Sequence, residues 1–242
     1  MSTKFSARLK ALTSNKTLVY VAVGLIAFLT ISVLLLSTGA VTPTPNPSSS
    51  WKVIYAVTPE QKAIDKLGAT WVHNQWGCEI YWDPLSAVEE DYNHYGENII
   101  VIGNGGRGEN AEGLLEIHTG DWFAKFSISK PEWASDVYIY EENNRLVIHT
   151  PKREYTMSDE NNYALVFSGW SLLMNRFVVL DLGWSGFASQ AGARYIIEHL
   201  GQDLKVGYAV VKYTGSVPSG LTEEDWLALS MSDFTYLVVE SG

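Results

Sequence analysis

Disulfide chemistry is the first thing this chain excludes, because its 242 residues include one cysteine, Cys78, and a bridge needs two. That single thiol is expected to be a small buried apolar residue. Catalytic signatures are also missing. The five histidines, His73, His94, His118, His149 and His199, show neither H-E-x-x-H nor any other metal-ligand spacing. Ser185 lies in Gly183-Trp184-Ser185-Gly186, which is not the G-x-S-x-G elbow of a hydrolase. The EF-hand pattern is absent. No metal ligand set, cofactor site or catalytic nucleophile can be named from motifs.

Charge is missing from one long stretch. Between Thr17 and Ser50 there is no charged side chain, and Leu18–Leu36 (LVYVAVGLIAFLTISVLLL) is almost wholly apolar. A helix needs about 20 apolar residues to cross a bilayer core, so residues 17–40 read as a transmembrane helix, bounded by Leu18 and Leu36 and held by membrane lipid. Residues 1–16 hold Lys4, Arg8, Lys10 and Lys16 and no acid. The positive-inside rule then makes them a cytoplasmic tail and places the rest outside. A cleaved signal peptide is the competing reading, but its apolar core is usually about 7–15 residues, shorter than this one.

Residues 41–50 (VTPTPNPSSS) contain Pro43, Pro45 and Pro47, which forbid a helix and favour an extended stalk. Beyond it, residues 51–242 hold 13 Lys and Arg against 27 Asp and Glu, a net charge of about −14. Such a domain is not drawn to nucleic-acid phosphates or anionic headgroups. It is long enough for one well-cored domain or two small ones. All nine tryptophans fall within it. An extracytoplasmic domain that ignores disulfides points to a prokaryotic surface.

Periodicity predicts an α/β head with a mixed sheet. Trp51–Val57 is read as a strand. Thr58-Pro59-Glu60-Gln61 signals a helix start, and the helix runs to about His73. Glu79–Trp82 is a short strand and Pro84–His94 a second helix. Asn98–Ile102 and Arg176–Leu182 are apolar runs of the kind buried on both faces. Each feeds a glycine-rich turn and then a helix, Asn110–His118 and Ala188–Leu200. Trp122–Ser129 alternates as a strand, and Asp136–Tyr140 with Arg145–Thr150 reads as a hairpin. Tyr163–Phe167, Val206–Tyr213 and Phe234–Glu240 are further strands, with a late helix capped by Thr222.

Gly103, Gly105 and Gly108 satisfy G-x-G-x-x-G, and with Asn104 and Gly106 they form the candidate ligand turn, whose amides could hold an anion. Glu109 and Glu112 lie just beyond and repel phosphate, so the glycines are read chiefly as permitting a tight turn. Acid pairs are plentiful: Glu89-Glu90-Asp91, Glu141-Glu142, Asp159-Glu160 and Glu223-Glu224-Asp225. Glycoside hydrolysis needs two acids about 5–10 Å apart, a distance that sequence does not give. Trp76 and Trp184 are candidate contact residues, since amphipathic aromatics dominate interface energetics.

Two segments, Asn98–Leu115 (NIIVIGNGGRGENAEGLL) and Asp181–Leu200 (DLGWSGFASQAGARYIIEHL), resemble paired segments of archaeal S-layer and related cell-envelope proteins. The resemblance implies a Rossmann-like fold and a non-enzymatic envelope role. The expectation is therefore a single-pass surface protein with a structural or adhesive function, whose partners are envelope or S-layer proteins or a second copy of itself. A membrane-tethered hydrolase of envelope glycan or peptide is the alternative, and a solute- or ion-binding receptor head is a third.

Overall fold

Asn98–Ile102 is buried along its whole length, and the reason is visible in a computed structural model of the chain. This strand lies inside a seven-stranded sheet with a layer packed on each face. The structure describes residues 51–55, 62–82, 98–103, 116–125, 128, 130–143, 145–158, 160–171, 173, 175–183, 185–199, 207–218 and 220–242. The expected anchor, stalk and Pro84–His94 helix lie outside the described residues. No helix among the described residues is long and apolar enough to cross a membrane.

In chain order the head begins with β1 (Trp51–Tyr55), α1 (Lys62–Trp76), β2 (Glu79–Trp82) and β3 (Asn98–Ile102). Next come β4 (Glu116–His118), α2 (Thr119–Lys125), β5 (Tyr138–Glu142), β6 (Arg145–His149) and β7 (Glu154–Thr156). The chain then returns through β8 (Tyr163–Ser171), β9 (Arg176–Gly183), α3 (Gly186–His199), β10 (Gly207–Tyr213), α4 (Glu223–Leu227) and β11 (Tyr236–Ser241). The large sheet has the order β11-β10-β8-β9-β3-β1-β2. Strands β2, β1, β3 and β9 run parallel, while β8, β10 and β11 add on antiparallel. The mixed α/β sheet expected from sequence is therefore present.

Alternation along the strands sorts the side chains between two cores. Ile99, Val101, Leu165, Phe167, Val178 and Leu180 face a second sheet, the antiparallel β4-β5-β6-β7. Ile100, Ile102, Ala164, Val166, Phe177 and Val179 face α1 and α3. Both faces of the central strands are thus covered, which explains why they are apolar throughout rather than every second residue.

The second sheet corrects two sequence expectations. The described end of the expected Asn110–His118 helix is β4, and Trp122–Ser129 is not a strand, since its first half lies in α2. The apparent alternation misleads because a single large ring, Phe123, anchors this turn. It is fully buried, with ring centroids 5.4 Å from Trp133 and 5.7 Å from Phe167. Thr119 fixes the start of the turn, its hydroxyl lying 2.9 Å from the carbonyls of both Ala134 and Val137. Tertiary contacts here outweigh local pattern. Strand β7 was too short to read from sequence.

Helix α1 runs three residues past the expected His73 and ends at Gly77, whose φ of +65° suits glycine, with its N–H donating to the His73 carbonyl at 2.7 Å. The late helix α4 is capped by Thr222 as the sequence indicates, in a reciprocal box with Asp225.

Candidate functional site

In an open α/β sheet, groups that act on ligands gather at the carboxyl ends of parallel strands. At that end of β3 and β9 the structure brings together four polar side chains from three elements. Asp65 comes from the first turn of α1. Asp181 sits on β9 at the position that follows Phe177 and Val179 on the helix-facing side. Ser189 and Gln190 are neighbours near the start of α3. All four are buried: Asp65 is 4 % exposed, Ser189 1 %, and Asp181 and Gln190 are 0 % exposed.

Glycines make this convergence sterically possible. A β-carbon at Gly103 would collide with the Asp65 carboxyl, at Gly192 with that of Asp181, and at Gly183 with the main chain of Ser189. A β-carbon at Gly68 would lie 2.7 Å from Gln190 Oε1 and 2.8 Å from Ala193 Cβ. Gly103 also has a φ of +97°, a conformation that L side chains avoid, and its N–H donates to the Asp181 carbonyl at 3.0 Å. The glycines at both strand ends therefore admit two helices and two carboxyls to one small volume.

The electrostatics of the pair are unusual. Burial lifts the Asp65 carboxyl to about 8, opposed only in part by its hydrogen bond with Ser189. Burial lifts Asp181 well above the usual carboxylate range, and the charge of Asp65 pushes it further. Neither Asp181 oxygen has a hydrogen-bond partner among the described residues. The Ser189 hydroxyl also reaches the Gly183 carbonyl at 3.1 Å, and its one proton serves only one of these two acceptors at a time.

Elsewhere the same chain shows how it accommodates a buried carboxylate. Glu240 is 7 % exposed and accepts from Tyr208 Oη at 2.6 Å, Tyr155 Oη at 2.9 Å and Thr150 Oγ1 at 3.1 Å. Burial alone would raise Glu240, but these bonds prevail and hold it below its ordinary value. Asp181 has no equivalent set.

A second arrangement lies at the surface of the small sheet. Tyr138 stacks on His149 with centroids 4.6 Å apart. His149 Nδ1 is 3.1 Å from Glu154 Oε1, and Tyr140 Oη donates to the same oxygen at 3.1 Å. Register explains the cluster, because Tyr138 pairs with His149 and His149 with Glu154 across β5, β6 and β7. Hydrogen bonds from His149 and Tyr140 hold Glu154 below its ordinary value. Burial, then the bond to Glu154, raises Tyr140 to about 12. The result is a half-exposed aromatic and ionisable face.

Of the sequence-named ligand turn, Gly103 abuts Asp65, while Asn104, Gly105, Gly106 and Gly108 lie outside the described residues. An ionised Asp65 sets a negative field at Gly103, which opposes an anion there. Trp76 is half-buried against Trp51, centroids 6.0 Å apart, and belongs to the helix-side core. Trp184 lies outside the described residues. The six tryptophans with described side chains, Trp51, Trp71, Trp76, Trp133, Trp170 and Trp226, are all buried or half-buried. They are packing residues.

Cys78 is buried, and burial raises its thiol to about 11. His73 Nδ1 meets the Cys78 main-chain oxygen at 2.6 Å, so the two do not form a thiol–imidazole pair. Ser185 caps α3, its Oγ accepting from the Ala188 N–H at 3.1 Å. Asp225 and Asp233 cap short helical turns. Asp65 and Asp181 were missed in the sequence, where the available signal was a lone acid inside an otherwise apolar strand, RFVVLDLG. Compared with protein-family models and with curated proteins, the chain matches none.

Proposed function

We propose that this chain is a membrane-anchored envelope protein. A helix at residues 17–40 holds it in the bilayer, the proline stalk at 41–50 spaces it, and an extracytoplasmic Rossmann-like head has a structural or adhesive role. The observation that supports a contact role most directly is the outer face of β5, β6 and β7. Tyr138, Tyr140, His149 and Glu154 form one connected, half-exposed group there. Tyrosines with few rotatable bonds present large amphipathic area at low entropic cost, which is why they recur at interfaces.

The buried acids also favour this reading over hydrolysis of an envelope polymer. Asp65 and Asp181 are the carboxyl pair the fold brings together, and at 4 % and 0 % exposure they are closed to a polymer strand.

The test is affinity capture of the full-length tagged protein from native membranes in mild detergent, comparing wild type with Tyr140→Ala/His149→Ala/Glu154→Ala. The expected result is one abundant envelope component at fixed ratio with wild type. Its recovery should fall about tenfold in the variant, equivalent to ~1.4 kcal/mol of contact energy. Equal recovery by both proteins would reject this face, and no partner at all would reject the envelope role.

A further inference from the structure

Two buried carboxyls without a basic partner require compensation, because an isolated buried charge costs far more than the fold can spare. Neither Asp65 nor Asp181 has an ion-pair partner among the described residues. Protonation answers the charge but not the bonding. A protonated Asp181 would need an acceptor for its O–H, and neither of its oxygens has a hydrogen-bond partner among the described residues. The two acids lie close enough for the charge of Asp65 to act on Asp181.

We propose that Asp65 and Asp181, with the neutral oxygens of Ser189 and Gln190, form a binding site for a hard divalent cation of the Ca²⁺ or Mg²⁺ class. The donors are all oxygen, from two carboxylates, a hydroxyl and an amide carbonyl. That set suits hard cations and lacks the nitrogen and sulfur that favour zinc. The groups come from α1, β9 and α3, so one ion would tie both helices to the sheet where β3 and β9 end. The glycines at 68, 103, 183 and 192 define the cradle, each placed where a side chain would occupy the space of a donor group. The unbonded Asp181 oxygens, fully buried and adjacent to Asp65, distinguish this cluster from the exposed acids of the loops and helix caps. No third acid, histidine or cysteine joins the cluster among the described residues. The two carboxylates therefore match the charge of one divalent ion.

The test uses full-length protein in detergent, stripped with chelator and then titrated with calcium chloride and, separately, magnesium chloride at constant ionic strength. Melting is followed by tryptophan fluorescence, and bound metal is counted by elemental analysis after gel filtration. The expected result with one of the two ions is a saturable rise in melting temperature of roughly 5–10 °C at a hundredfold excess over Kd, with one ion retained per chain. Asp65→Asn and Asp181→Asn should each abolish both signals. No saturable rise with either ion overturns the proposal, as does retention of the full response in both variants, which would locate binding among the surface acids. Because the wild-type titration and metal count stand alone, a variant that failed to fold would not shield the proposal.

Discussion

Asparagine in place of Asp181 is expected to raise the melting temperature of the chelator-treated protein at about pH 8, the value to which the neighbouring Asp65 is lifted. Most substitutions at fully buried positions destabilise, so the direction is diagnostic. The folded state holds both carboxyls above their unfolded values. Between the unfolded value near 4 and the folded value of about 8 for Asp65, the native state therefore binds more protons than the unfolded chain. Stability is greatest below that window and falls as pH rises through it, by at most ~1.4 kcal/mol per pH unit for each group. Asp181→Asn removes one of the two titrating groups, so the variant should lose stability with pH about half as steeply. At the alkaline end it should melt roughly 5 °C above wild type, given ~2 kcal/mol of relieved charge burial. Equal pH slopes for the two proteins, or a lower melting temperature for the variant at pH 8, would show that the Asp181 charge is stabilised by the fold.

Alanine at Gly183 is expected to be among the most damaging small substitutions in the head. The new β-carbon would overlap the Ser189 main chain as well as its hydroxyl. Ser189 cannot turn away, because its N–H is bonded to the Ser185 carbonyl at 2.9 Å as the first turn of α3 closes. The helix would have to lift off β9, opening a contact built from the small buried residues Ala188, Ala191, Gly192 and Ala193. A loss of about 3 kcal/mol follows from overpacking of this kind, seen as a fall of roughly 6–12 °C in melting temperature. Gly77→Ala is the matched control. Its φ of +65° is unfavourable for alanine, but nothing stands within 4 Å of the added carbon, so it should cost only ~1 kcal/mol. If Gly77→Ala proves as damaging as Gly183→Ala, the tight approach of α3 to β9 is not what this glycine serves.

The helix side of the fold was legible in the sequence, because its signals are local. Apolar runs such as NIIVI and RFVVL, the glycine after each, and the Thr222 cap all state their structure within a few residues. The small-sheet side was less legible. Its α2 is held by Thr119, by Phe123 and by contacts as distant along the chain as Phe167, which no window of periodicity contains. The acid pair was invisible for a similar reason. Asp65 and Asp181 meet only after β3 and β9 pair, and the acids that drew attention in the sequence were those adjacent to one another, of which Glu141 and Glu142 lie on β5 and Asp225 completes a helix cap. Tryptophan frequency also misled, since the described rings pack into the apolar cores. The proposed anchor, read from sequence alone, depends on no such long-range pairing.

The proposed anchor sets which side of the membrane the head occupies. Intact cells expressing the full-length chain with a C-terminal tag should be treated with an impermeant protease, and their membranes then extracted with alkaline carbonate. A single-pass helix with the head outside predicts a tag that is removed from intact cells and, without protease, a chain that remains in the carbonate-washed membrane pellet. A tag protected until the cells are lysed, or a chain released by carbonate, would contradict the single-pass, head-outside arrangement on which the proposed envelope role rests.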